Sequence, residues 1–112
     1  MEIEVKKELD IFIIKIIGRL DAVTTTEFEA AINGLIAEGG NKLIFDMGEL
    51  QYVSSAGLRS FLGTAKSLKA GNGLVAFFSL QESVNKVFQM SGFNKIFKLF
   101  NSMEEATKFM NT

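Results

Sequence analysis

Short apolar, β-branched runs alternate with stretches of helical period along the whole chain, and this alternation is what most limits the fold. Ile3 to Val5 alternates apolar with acidic, the pattern of a half-buried strand. Ile11 to Ile17 is almost wholly apolar, broken only by Lys15, and reads as a well-buried strand paired with the first across a turn at Glu8-Leu9-Asp10. Leu43-Ile44-Phe45 and Leu74 to Phe78 are further buried strands. Ile96 to Phe100 alternates around Lys98 as the last. Between them lie amphipathic helices. Phe28, Ile32, Leu35 and Ile36 form one stripe, ended by Gly39-Gly40. Leu58, Phe61, Leu62, Ala65 and Leu68 form a second, broken at Gly71-Asn72-Gly73. Val84, Val87 and Phe88 mark a third and Ala106, Phe109 and Met110 a fourth. The expected class is α/β, a sheet of about five strands with about four helices in the order β-β-α-β-α-β-α-β-α. Strands alternating with helices imply a mostly parallel sheet, with the N-terminal hairpin as an antiparallel edge.

With 112 residues and no Pro- or Ser-rich linker, the chain reads as a single domain over residues 1–112. The net charge of −1 provides no excess of cations for nucleic-acid phosphates, so direct nucleic-acid binding is not expected. Neither Cys nor His is present, which removes disulfides, thiolate metal sites, the commonest zinc ligand and the commonest general base. No metal and no cofactor are expected. The opening residues alternate charged with apolar, unlike a signal peptide, and no apolar run approaches the ~20 residues that span a bilayer. No membrane association and a cytoplasmic location are expected.

In a parallel sheet the loops after the strand carboxyl ends share one rim, where binding residues usually gather. Asp21, Asp46, Ser54, Ser55 and Ser79 all follow strands in this way. Three helices open on S/T-x-x-E spacings, Thr24/Glu27, Ser79/Glu82 and Ser102/Glu105, in which side chains satisfy the first-turn N–H groups. The helix after Ser55 has no such box. Leu58 stands where Glu or Gln would be, and the only charge in its opening turn is Arg59. Free N–H groups and the helix dipole suit a phosphate there. Gly57 is poor in a helix, by about 1 kcal/mol against Ala. It points either to close approach by a phosphate or partner, or to tight helix–sheet packing. Ser54 or Ser55 also serves as an ordinary N-cap in a plain structural reading.

The run from Leu43-Ile44-Phe45-Asp46 through Tyr52 to Ser54-Ser55-Ala56-Gly57-Leu58-Arg59 resembles the STAS domain family, in particular bacterial anti-sigma-factor antagonists. Gly18-Arg19-Leu20-Asp21 with Thr24, and Ser91-Gly92-Phe93, match other motifs of that family, so the resemblance covers essentially the whole chain. It implies phosphorylation of the serine two before the glycine, which is Ser55 here, with Ser54 the second choice. It implies a partner that is both anti-sigma factor and serine kinase, bound by the unphosphorylated form, and a serine phosphatase that restores that form. Asp21, Thr24, Asp46, Ser54, Ala56, Gly57, Leu58 and Arg59 are the implied residues of the docking surface. Ser54 stands where many relatives carry Asp.

Other classes compete poorly. An enzyme would have to work with Ser, Asp, Lys, Arg or Tyr alone, and neither a Ser–Lys pair at convincing spacing nor a Gly-x-x-x-x-Gly-Lys loop is present. A receiver-like domain phosphorylated on Asp46 would need an acidic pair for magnesium near the first parallel strand, and none is evident. The alternative within the family is a partner-binding subunit of a transport or stress-signalling complex that does not switch.

Overall fold

The computed structural model describes all residues, Met1–Thr112. The chain forms β1 (Glu2–Glu8), β2 (Ile11–Leu20), α1 (Thr25–Ala37), β3 (Lys42–Asp46), β4 (Leu50–Val53), α2 (Ser55–Ala70), β5 (Leu74–Phe78), α3 (Glu82–Met90), β6 (Lys98–Phe100) and α4 (Met103–Met110). A short 3-10 turn, Phe93–Lys95, precedes β6. The strands run in the order β1-β2-β3-β5-β6. β1 and β2 are antiparallel, in register from Glu2↔Ile17 to Glu8↔Ile11. The pairs β2–β3, β3–β5 and β5–β6 are parallel. The expected class and the hairpin edge are both present.

One strand was not expected. Leu50–Val53 lies in what reads as a loop, yet β4 pairs in parallel with the last residues of β2, Arg19 opposite Tyr52 and Leu20 opposite Val53. The sheet register shifts between Gly18 and Arg19. β2 thus has β3 beside Phe12–Lys15 and β4 beside Gly18–Leu20. The alternation in β4 is irregular, with Leu50 and Val53 buried and Gln51 and Tyr52 exposed between them. That masks the two-residue period of a strand.

The helices are unequally divided. α1, α2 and α3 pack on one face over Ile14, Ile16, Leu43, Phe45 and Phe77, while α4 alone covers Ile13, Ile44, Ala76 and Phe78 on the other. Phe61 of α2 joins the sheet to the helices in the larger core. Its ring centroid lies 5.4 Å from Phe28, 5.5 Å from Phe45, 5.2 Å from Phe77 and 6.1 Å from Phe88. Three of these contacts are edge-on or nearly so, the arrangement that ring quadrupoles favour. Each fully buried Phe contributes about 1.5–3 kcal/mol by leaving water, so the aromatic cluster fixes α2 firmly on the sheet. No helix is long and apolar enough to cross a membrane.

Candidate functional site

The start of α2 is pinned to the end of β2. The Ser54 amide donates to the Leu20 carbonyl at 2.9 Å, and the Leu58 amide closes the first helical turn on the Ser54 carbonyl at 2.9 Å. Ser54 is extended, with φ −92° and ψ 176°, and its Oγ accepts from the Gly57 amide at 3.3 Å. It is the N-cap of α2, and satisfies one of the first-turn donors. Ser55 is the first helical residue, exposed, and its hydroxyl makes no hydrogen bond within the protein. The amides of Ser55 and Ala56 also lack protein acceptors. The two adjacent serines therefore differ in kind: one hydroxyl is committed to the helix, the other is free.

The expected contrast among helix starts is reversed. α2 carries a side-chain cap, whereas α1 and α3 have none from their N-cap residues Thr24 and Gln81. Thr24 does not close a box with Glu27. Its Oγ1 donates to the Arg19 carbonyl at 3.0 Å and accepts from the Asp21 amide at 2.9 Å. Asp21 orders the turn before the helix, its Oδ1 accepting from the Val23 amide at 3.0 Å and the Thr24 amide at 3.1 Å. Ser79 sits at φ 60°, and α3 begins only at Glu82, so no box forms there. The third box does form: Ser102 Oγ accepts from the Glu105 amide, and Glu105 reaches back to the Asn101 amide.

Gly57 is buried where α2 crosses the strand ends. A Cβ there would lie 2.7 Å from Val53 Cγ2 and 2.8 Å from the Leu20 carbonyl oxygen. Its missing side chain thus admits the protein's own β2 and β4, not a partner. Leu58 is also core, packed in the larger cluster. Ala56 is half-buried and Arg59 exposed. Asp21 follows Leu20 directly and so flanks the serine pair. Donation from the Thr24 amide, with the Val23 amide, the Thr24 hydroxyl and nearby Arg19 adding to it, holds its carboxyl below the usual aspartate range.

Asp46 ends β3 with its carboxylate bound to the turn that follows. Its Oδ1 accepts from the Gly48 amide at 3.0 Å. With Glu4, Lys6, Ile13, Lys15 and Met103 it lines a cavity of about 240 Å³ on the α4 side of the sheet. Beside it, Lys15 pairs with Glu49 at 2.5 Å, which raises the lysine's pKa. Asp46 shapes the turn into β4, and Gln81 Nε2 donates to the Gly48 carbonyl at 2.9 Å to brace that turn from α3. No group of three or more acidic side chains is placed to hold a metal ion.

One feature of this rim was missed by sequence reasoning. The Arg19 guanidinium lies 4.1 Å from the centre of the Tyr52 ring, and its Nε is 3.8 Å from Asp21 Oδ2. The stack follows from the Arg19↔Tyr52 register of β2 and β4, and is invisible while β4 is taken for a loop. Val23, 86% exposed in the next turn, adds an apolar point to the same rim.

The comparisons with known proteins agree with this architecture. The chain is 35% identical over 95 residues to BtrV of Bordetella bronchiseptica, a candidate anti-sigma factor antagonist, covering 85% of this chain and 82% of that one. It is 29% identical over 105 residues to the anti-sigma-B factor antagonist of Listeria monocytogenes, covering 90% of each. Its fold is that of the anti-sigma factor antagonist SpoIIAA, solved in unphosphorylated form (TM-score 0.74, 21% identity, 95% of this chain and 94% of that one). The Bacillus SpoIIAA in phosphorylated form superposes equally well (TM-score 0.75, 24% identity, 96% of this chain and 97% of that one). The profile of the STAS domain matches residues 2–106, and with the fold and the strand–loop–helix junction in hand, the chain belongs to the STAS domain family.

Proposed function

We propose that this protein is an anti-sigma factor antagonist controlled by phosphorylation of Ser55. The unphosphorylated form binds an anti-sigma factor that is also a serine kinase, and so releases the sigma factor. Phosphorylation weakens that contact, and a serine phosphatase restores it. The protein is the substrate and binding partner in this cycle, and supplies no catalytic group of its own.

The observation that carries the reading is the exposed, unbonded hydroxyl of Ser55 at the first position of α2, beside a Ser54 whose hydroxyl already caps that helix. A kinase needs an accessible hydroxyl, and modifying Ser55 leaves the cap intact. The phosphate would add about −1.5 to −2 charges on a rim that already holds Asp21. A docking surface matched to the neutral hydroxyl would be disfavoured by that change. Thr24 and Ser54 order the rim, Ala56 and Arg59 share it with Ser55, and Gly57 and Leu58 hold the helix in place beneath it. The names of the curated relatives, and the two SpoIIAA structures that differ in phosphorylation, support the same reading.

Incubation with the cognate kinase and ATP, followed by mass spectrometric mapping, tests the site. Phosphate on Ser55, abolished by Ser55→Ala, is expected. Undiminished labelling of Ser55→Ala would shift the assignment to Ser54. A pull-down should show a kinase-like partner kept by Ser55→Ala and lost by Ser55→Asp. Equal retention by both would favour a subunit that does not switch.

A further inference from the structure

Arg59 stands four residues after Ser55 on α2. Side chains three or four apart on a helix are neighbours, with Cβ atoms about 5–6 Å apart. The guanidinium is exposed and has neither an ion-pair partner nor an aromatic ring beneath it. The other arginine is engaged, lying on Tyr52 and near Asp21. The first turn of α2 holds no acidic residue that would compete for Arg59. At the neighbouring end of β2 the charged side chains are Arg19 and Asp21, and the Asp21 carboxylate is already occupied by the Val23 and Thr24 amides. Ser54 is five residues from Arg59, off its face of the helix, and its hydroxyl is turned to Gly57.

We propose that a phosphate on Ser55 captures Arg59 in an ion pair within the helix, so that modification withdraws a cation from the docking surface while adding negative charge. This rests on the reading of Ser55 as the phosphorylated residue. The guanidinium presents paired N–H donors that match two phosphate oxygens, which a lysine ammonium does not. An anion N-terminal to a cation at this spacing is the more favourable order. Before modification Arg59 is free to meet a carboxylate of the partner; afterwards it is held by its own chain. One phosphate thus changes two features of the surface.

The test is to install phosphoserine at position 55 during translation by genetic-code expansion. This needs no kinase, and so does not depend on whether cells modify Ser55. The second ionisation of the phosphate, ordinarily near pH 6, is followed by ³¹P NMR in the wild-type background, in Arg59→Gln and in Arg59→Lys. The wild-type midpoint should lie about 0.15–0.4 pH unit below that of Arg59→Gln. Arg59→Lys should fall between, and the difference should shrink at high salt. Phosphoserine at position 54 should titrate identically with and without Arg59. Equal midpoints for wild type and Arg59→Gln at position 55 would overturn the proposal, as would an equal Arg59 effect at position 54. A lowered midpoint combined with a Ser55 that its kinase never modifies would refute the switch and leave the capture standing.

Discussion

Ser54 Oγ accepts from the Gly57 amide at 3.3 Å, while the hydroxyl of Ser55, next in the chain, bonds to nothing in the protein. The first holds the helix and the second is open to chemistry. Ser and Asp are both strong N-caps, so Ser54 holds the helix start without placing a charge beside Ser55.

Ser54→Ala should therefore destabilise the protein by about 1 kcal/mol, and Ser54→Asp should keep the native stability. Ser55→Ala should change stability by less than about 0.5 kcal/mol. Urea unfolding of the three variants checks this, and a larger loss for Ser55→Ala than for Ser54→Ala would reverse the roles assigned here.

Two glycines of α2 should respond oppositely to Ala. At Gly57 the added Cβ meets Val53 Cγ2 and the Leu20 carbonyl inside van der Waals contact, and overpacking should cost about 1–3 kcal/mol. At Gly63 nothing lies within 4 Å, and the gain in helix propensity should stabilise by about 1 kcal/mol. Thermal melts of the pair separate packing from propensity.

Phe61→Ala should cost about 3–5 kcal/mol, since the ring it removes touches Phe28, Phe45, Phe77 and Phe88. Amide exchange at the start of α2 should accelerate along with that of the core. Exchange confined to the C-terminal half of α2 would show that the helix start is held by Leu20 and not by the aromatic cluster.

The carboxyl of Asp21 should titrate below the 3.8 of an ordinary aspartate. Because the folded state lowers this pKa, its contribution to stability is complete above the unfolded value and is lost as pH falls through the folded one. Carboxyl NMR should show the depressed midpoint, and the Val23 and Thr24 amides should shift over the same acid range. In Asp21→Asn those amides keep an acceptor and should no longer respond. A midpoint at or above the ordinary value would remove the turn from the acid-sensitive parts of the fold.

Much of this architecture is written in local pattern. The apolar runs that form β2, β3 and β5 and the stripe from Leu58 to Leu68 are found where their periods put them, because burial on one or both faces dictates those periods. What local pattern could not reveal depends on neighbours distant in sequence. Leu50–Val53 becomes a strand only because the end of β2 is there to pair with it. Thr24 has box spacing, but its hydroxyl is spent on the Arg19 carbonyl and the Asp21 amide, and Asp21 takes the Thr24 amide that Glu27 would have met. Asp46 follows its strand as Asp21 does, yet its carboxylate is tied to Gly48 on the α4 side of the sheet. The strand–loop–helix junction was legible; which hydroxyl it leaves free required the φ and ψ of Ser54.

The double pairing of β2 also sets where this chain tolerates a change in length. A residue inserted between Lys15 and Gly18 would slide the β4 half of the strand past the β3 half, and turn Leu20 away from the Val53 and Gly57 that it serves. A residue inserted in the Gly71–Gly73 turn, between the end of α2 and β5, would leave both pairings of β2 untouched. The span from Lys15 to Leu20 is thus a ruler of fixed length, setting the distance from core to serine.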